Sequence, residues 1–172
     1  MVTDLTPTPP NRLERQLDRL KDAPAFARPW FQSVVLRRAV PFTGTAGIDF
    51  LQMSRERVEI GLKNEKKVQN HLGGIHASAM NLLAETATGM VVGMNVRDDC
   101  TPLAKELKMA FKKRATGAMR AVAVLTAEQQ ALMQASDKGE VKVQVTVTDE
   151  AGIEPVECEF VWAWIPSSPR KS

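Results

Sequence analysis

With 172 residues, 44% of them hydrophobic, the chain is sized for one domain with a substantial core. The net charge of +3 is small and no basic stripe is interleaved with aromatics, so nucleic acid is not an expected partner. Cys100 and Cys158 are the only cysteines and two histidines lie far from them; this builds neither a disulfide framework nor a zinc site, and the thiols read as free in a reducing cytoplasm, with no metal expected.

Met1–Pro10 is rich in proline and threonine and reads as a mobile tail without the pattern of a signal peptide. Leu13, Leu17 and Leu20 recur at helical spacing, which predicts a short amphipathic helix over Asn11–Leu20 with Asn11 as its N-cap. Pro24 and Pro29 break the chain, and Trp30–Val40 reads as a second helix ending near Pro41. Thr43-Gly-Thr-Ala-Gly47 reads as a turn. Residues 1–40 are thus assigned to a tail and helices, 41–166 to the main domain and 167–172 to a C-terminal tail.

Val58, Ile60 and Leu62 alternate within Arg57–Leu62, the pattern of a half-buried strand. Lys63–Gln69 is polar and reads as a loop. Ile75–Val92 is an apolar run of helical length with one formal charge, Glu85, and predicts a buried helix. Asn81, Glu85 and Gly89 make it a poor membrane span, and no membrane partner is expected. Gly93–Pro102 is a connection. Leu103–Arg114 fits both patterns: Leu103, Leu107, Ala110 and Phe111 suit a helix, while Leu103, Leu107, Met109 and Phe111 suit a strand. Its Ala, Lys, Glu and Leu content favours helix on propensity. Lys112-Lys-Arg114 reads as a solvated end, with a phosphate contact as the alternative.

Ala118–Leu125 reads as a strand and Ala127–Ala135 as a short helix or a loop excursion. Val141, Val143, Val145 and Val147 alternate with polar residues and mark the clearest strand of the chain. After a turn at Glu150-Ala-Gly152, Val156, Cys158, Phe160, Trp162 and Trp164 share one face of a last strand. Consecutive strands joined by short turns predict an α+β fold, with an antiparallel sheet wrapped around one long apolar helix.

Glu85 is the feature that points to chemistry. A lone carboxylate in an apolar helix is costly unless it is paired, hydrogen-bonded or protonated. Just upstream, Asn70-His-Leu-Gly-Gly-Ile-His76 is a polar, glycine-bearing loop leading into the helix N-terminus, where unpaired N–H groups and the dipole favour negative charge. His71 reads as exposed. Ser78, Asn81, Glu85 and Thr88 recur at i+3/i+4 spacing as a polar stripe. The stripe either lines a pocket or a two-fold interface, or bonds back to helix carbonyls.

Asn70, His76 six residues on and Glu85 nine after the histidine, with Gly74 two before it, form a pattern that resembles the hotdog-fold acyl-thioesterases, the phenylacetate-pathway-type group in particular. Thr101 resembles a family threonine that precedes the second strand. The likeness runs from about Asp49 to Ile165 in element order. It implies a hotdog fold, and it makes Leu103–Arg114 a strand against its propensity. It further implies hydrolysis of acyl-CoA or acyl-carrier-protein thioesters, with coenzyme A as part of the substrate and no other cofactor. The assembly implied is a homodimer, which in this fold often pairs into a homotetramer.

Under the resemblance the catalytic set is Asn70, His76, Ala77 and Glu85, with Gly74 and Thr101 as substrate contacts; Asn81, read from the polar stripe, is a third candidate contact. The Ala77 N–H, with the loop around Gly74, would receive the developing oxyanion. Asn70 would hold the attacking water or the carbonyl, and His76 would orient the loop or bond the thioester. Glu85 would act as general base or nucleophile. Ala77 and Glu85 lie eight residues apart, roughly 12 Å along a helix axis, too far to act on one carbonyl within one chain. The site is therefore expected to be shared across a two-fold axis. Ala77 stands where the family has glycine; the N–H is kept but a methyl is added, which motivates the alternative of a non-catalytic acyl-CoA-binding protein. Hydration of an enoyl-CoA on the same fold wants an acid five before His76, where this chain has His71.

Overall fold

The computed structural model describes residues 9–20 and 22–167; the parts of the expected tails at 1–8 and 168–172 lie outside the described residues. Helices α1 (Arg12–Asp18), α2 (Arg28–Ala39) and α3 (Pro41–Ala46) come first, followed by strands β1 (Asp49–Met53) and β2 (Arg57–Leu62). A single 3-10 turn at Lys66–Val68 leads to helix α4 (Ala77–Gly93). Then come β3 (Cys100–Phe111), β4 (Met119–Val124), α5 (Ala127–Ala135), β5 (Gly139–Asp149) and β6 (Val156–Pro166).

The strands form one antiparallel sheet in the order β1-β2-β4-β5-β6-β3. Its concave face holds α4, which packs against β2, β3, β4, β5 and β6. This is the hotdog arrangement that the resemblance implies. The alternating residues read from the sequence supply the inner face: Val58, Ile60 and Leu62 on β2, Val141, Val143 and Val147 on β5, and Phe160, Trp162 and Trp164 on β6 are all buried. From α4 they meet Leu83, Ala84, Ala87, Val91 and Val92, each with essentially no exposure.

The closeness of helix to sheet has a specific cause. Trp162 lies across α4 at Gly89, where a β-carbon would stand 2.7 Å from the indole ring. Its Nε1–H donates to Thr88 Oγ1 at 3.0 Å, and the Thr88 hydroxyl points back to the carbonyls of Ala84 and Glu85 at 3.0 and 2.9 Å. The indole's polar atom is satisfied inside the core rather than stranded there.

Leu103–Phe111 is a strand. β3 pairs with β6 along its whole length and leaves its other edge free, so its lysines and Glu106 face solvent and give it the composition of an amphipathic helix. One reading is corrected and one strand is new. The segment read as a turn at Thr43–Gly47 is mostly the short helix α3, with Pro41 at its first position and only Gly47, at φ +80°, as the reversal. β1 had no expectation attached to it: of its five residues only Phe50 is buried, too little for a period-two signal. α2 secures it instead. The Arg37 guanidinium donates to Ile48 O (2.7 Å) and pairs with Asp49 (2.5 Å), and the Phe50 N–H donates to Ser33 Oγ (2.8 Å).

α1 begins at Asn11, as expected, with a full capping box to Glu14. The Asn11 amide does a second job: its Nδ2 donates at 2.8 Å to both Gly93 O and Val96 O, closing the C-terminal end of α4. α5 is a helix, capped by Thr126 and Gln129. No helix among the described residues is long and apolar enough to cross a membrane.

Gly89→Ala tests the helix–sheet contact. Replacing a helix-interior glycine alone would stabilise by up to about 1 kcal/mol. Here the methyl meets Trp162, and a net loss of about 1–3 kcal/mol is expected from urea denaturation.

Candidate active site

The loop before α4 is built by its own polar groups. Asn70 Oδ1 accepts from the backbone N–H of Leu72 (2.9 Å) and of Gly74 (3.2 Å), an Asx turn. The Asn70 N–H donates to Gly74 O at 2.8 Å, and Gly73 makes the reversal at φ +76°. The His76 N–H donates to Val68 O at 2.8 Å, which ties the loop's exit to the 3-10 turn. His76 is the N-cap of α4: its Nδ1 accepts from the Ser78 N–H at 3.0 Å, an arrangement in which the neutral ring carries its proton on Nε2. The next amide, Ala77 N–H, has no acceptor among the described residues and opens outward at the positive end of the helix.

A groove of about 490 Å³ starts at this amide and runs along α4. One wall is Ala77, Ser78, Asn81 and Glu85; the other is Leu107, Met109 and Phe111 of β3, with Phe42 of α3 at the end. The Glu85 side chain is half-buried and has no hydrogen-bond or ionic partner among the described residues. Loss of water around it raises its pKa above the ordinary glutamate value. The polar stripe of α4 therefore divides. Thr88 is fully buried and spent on helix carbonyls and Trp162, whereas Ser78, Asn81 and Glu85 face the groove.

Ala77, Asn81 and Glu85 thus share one groove. Asn70 and Gly74 build the loop, and the Gly74 amide is already committed to Asn70, which leaves the Ala77 N–H as the open donor. His76 caps the helix and lines a smaller adjoining pocket. Thr101 lies at the opposite end of α4, beside Asn11 and Gly93, with its hydroxyl 2.8 Å from Ser167 Oγ. Phe42, Leu107 and Phe111 were not singled out as site residues. Phe42 falls just ahead of the segment misread as a turn; Leu107 and Phe111 become legible once β3 is read as a strand, because they alternate with Met109 on one face.

The remaining candidates carry no such geometry. Both thiols are free, and burial pushes Cys158 up to about 11, which keeps it protonated and unreactive. Lys112 pairs with Glu157 at 2.8 Å, as a solvated strand end would.

The profile of the family described as a domain of unknown function (DUF4442) matches residues 28–165. The chain belongs to the DUF4442 family. No curated protein matches this DUF4442 chain. Among solved structures, it is similar to a Pseudomonas aeruginosa protein of unknown function described as a probable thioesterase, at 21% identity and TM-score 0.72, over 78% of this chain and 93% of that one. It is similar to a thioesterase family protein from Silicibacter pomeroyi, at 14% identity and TM-score 0.65, over 78% of this chain and 96% of that one. A mutant of a thioesterase enzyme from Staphylococcus aureus is similar over 73% of this chain and 99% of that one, at 17% identity and TM-score 0.63. The likeness is one of fold.

The raised pKa of Glu85 carries a stability consequence. The folded chain binds this proton more tightly than the unfolded chain, so the stabilisation is complete below the unfolded pKa and is lost as pH rises through the folded one. Glu85→Gln, which imitates the protonated acid, is expected to raise the melting temperature at neutral pH and to lose that advantage in acid. Thermal denaturation of both proteins across pH checks this.

Proposed function

We propose that this DUF4442 protein hydrolyses acyl thioesters of coenzyme A or acyl carrier protein, in the cytoplasm, at a site shared between two copies of the chain. One observation carries the reading: an unpaired, half-buried glutamate faces a groove that begins at an open helix N-terminal amide. The names of the similar solved structures point to the same chemistry.

A thioester carbonyl would rest on the Ala77 N–H, which becomes the oxyanion donor as negative charge grows on the oxygen. Glu85 would take a proton from water as the water attacks, and collapse of the tetrahedral intermediate would expel the thiolate, which leaves as thiol with that proton. On the nucleophilic route Glu85 would attack the carbonyl and form a mixed anhydride as the thiolate leaves and is protonated by solvent; water would then cleave the anhydride to release the acid and restore the Glu85 carboxylate. Asn81 would hold the substrate beside Glu85, while Asn70, Gly74 and His76 keep the loop and first helical turn in shape, with His76 Nε2–H free to donate.

The helical distance between Ala77 and Glu85 supports a dimer, and so does β3. Its free edge exposes Leu103, Leu107 and Phe111 along a twelve-residue strand, an edge that a monomer would leave open to association. Antiparallel pairing of two such edges would bring the Thr101 end of one strand to the Phe111 end of the other, so that Thr101 serves the second copy's groove. Two such dimers could pair further into a homotetramer. A second reading, binding of acyl-CoA without turnover, is favoured by the Ala77 methyl beside the carbonyl position.

Sedimentation equilibrium is expected to give at least twice the 19.0 kDa chain mass. Released thiol from a panel of short, long and aromatic acyl-CoA thioesters measures turnover. Glu85→Gln is expected to lower kcat by about 10²–10⁴-fold while keeping the assembly. In the wild type, kcat/KM should rise with pH through an apparent pKa above about 4.3, the ordinary glutamate value. No turnover by the folded assembly on any thioester would favour the binding reading, and Ala77→Gly would then be expected to release activity.

A further inference from the structure

A second pocket, of about 220 Å³, adjoins the groove at the first turns of α4, between that helix, α3 and the 3-10 turn, and Ser78 and Leu82 line both. His76 and Ser78, the two neighbours of Ala77, both line it. A group bonded to the Ala77 N–H therefore lies in the acid-bearing groove, next to the residues that open into this pocket. Their characters differ. The pocket's apolar walls are Ala46, Val68, Ala79 and Leu82, three of them buried; the uncharged Thr45 and Gln69 complete it, and no carboxylate among the described residues lines it. Its single cation, Lys67, is paired with Glu65 at 3.2 Å. Such walls suit an uncharged, apolar group, and the volume is below the 300–1,000 Å³ usual for drug-sized ligands.

Phe42 belongs to both cavities. α3 holds it in place: Pro41 starts this helix, and the fully buried Thr43, the next residue, donates its hydroxyl to Val40 O at 2.7 Å. The phenylalanine is nevertheless 63% exposed, a large apolar side chain left uncovered at the boundary between two cavities.

We propose that the pocket between α3 and the first turns of α4 is the acyl site, and that Phe42 sets the length of acyl chain it accepts. The inference rests on the thioester reading of the groove and names the substrate class for it: short or compact acyl groups. The chain enters between His76 and Ser78, its carbonyl stays on Ala77, and the side of the groove that faces the second copy, which would bring its own Glu85, is left to the water and the departing thiol. Phe42 closes over the chain and separates it from the groove.

The test uses binding, so that it stands apart from turnover. Ketone analogues of straight-chain acyl-CoA, with a methylene in place of the sulfur, cannot be hydrolysed; their affinities are measured by calorimetry as the chain lengthens. For the wild type, affinity should rise by about fourfold per methylene while the pocket fills, and then level off. Phe42→Ala, which joins the two cavities, should move the plateau to longer chains and weaken the shortest ones. Ala79→Leu, which fills the pocket from the helix side, should move it to shorter chains. Plateaus that coincide in all three proteins, or no binding of any analogue, would overturn the acyl site. Plateaus that shift in a protein that hydrolyses no thioester would keep the acyl site and remove the hydrolytic reading. Hydrolysis with a chain-length profile blind to both substitutions would do the reverse.

Discussion

The distance between α4 and the sheet is the constraint on which the molecule turns, and Trp162 sets it. The indole can press against the helix only because residue 89 has no side chain, and its N–H can be buried only because Thr88 stands ready as acceptor. With the helix held there, the outward side of α4 follows: Ser78, Asn81 and Glu85 fall between helix and β3, in a space too apolar to solvate a carboxylate fully. The unusual state of Glu85 is thus a product of core packing as much as of its own position. Thr88 belongs to the same polar stripe in sequence yet serves the opposite purpose, and the difference is made by a residue 74 positions away.

That long separation explains much of what could and could not be read from the chain. The buried helix and its solitary acid are legible because they break a strong local rule, that charges stay out of apolar runs. β2, β5 and β6 are legible because one face of each is buried and the other is not. β3 is ambiguous for the opposite reason. On a free edge it keeps lysines and a glutamate outward and loses the regular alternation, so propensity favours helix and only the resemblance to a known family corrects it. β1 and α3 are too short to carry a period, and both are secured by groups distant in sequence or buried, such as Arg37 and Thr43. Within the candidate site, Glu85 is named from its isolation in an apolar run and Ala77 from the resemblance to a known family. Phe42 could not be named, because nothing local says that a phenylalanine in a six-residue helix lines a surface groove rather than the core.

The site residues named from the sequence also differ in kind. Asn70 and Gly74 spend their polar groups on each other, and His76 spends one ring nitrogen on Ser78. These are the groups that hold an amide open at Ala77. A motif that looks like a list of reactive side chains is, in large part, the scaffold for a single backbone N–H. This explains why the exchange of glycine for alanine at position 77 keeps the donor: the donor is main chain.

The two ends of α4 are treated unequally. At its start one amide has no acceptor among the described residues, whereas at its finish the Gly93 carbonyl, and that of Val96 just beyond, are taken up by Asn11, a residue from far upstream in the sequence. A helix with an open positive end and a sealed negative end presents only one pole to solvent. The residue that seals it lies outside the stretch, 28–165, by which the family is recognised. The border drawn by shared sequence therefore cuts through a structural unit: a chain trimmed to that border would free the Gly93 carbonyl, while the carbonyls of Met90, Val91 and Val92 would keep their partners at Met94, Asn95 and Val96.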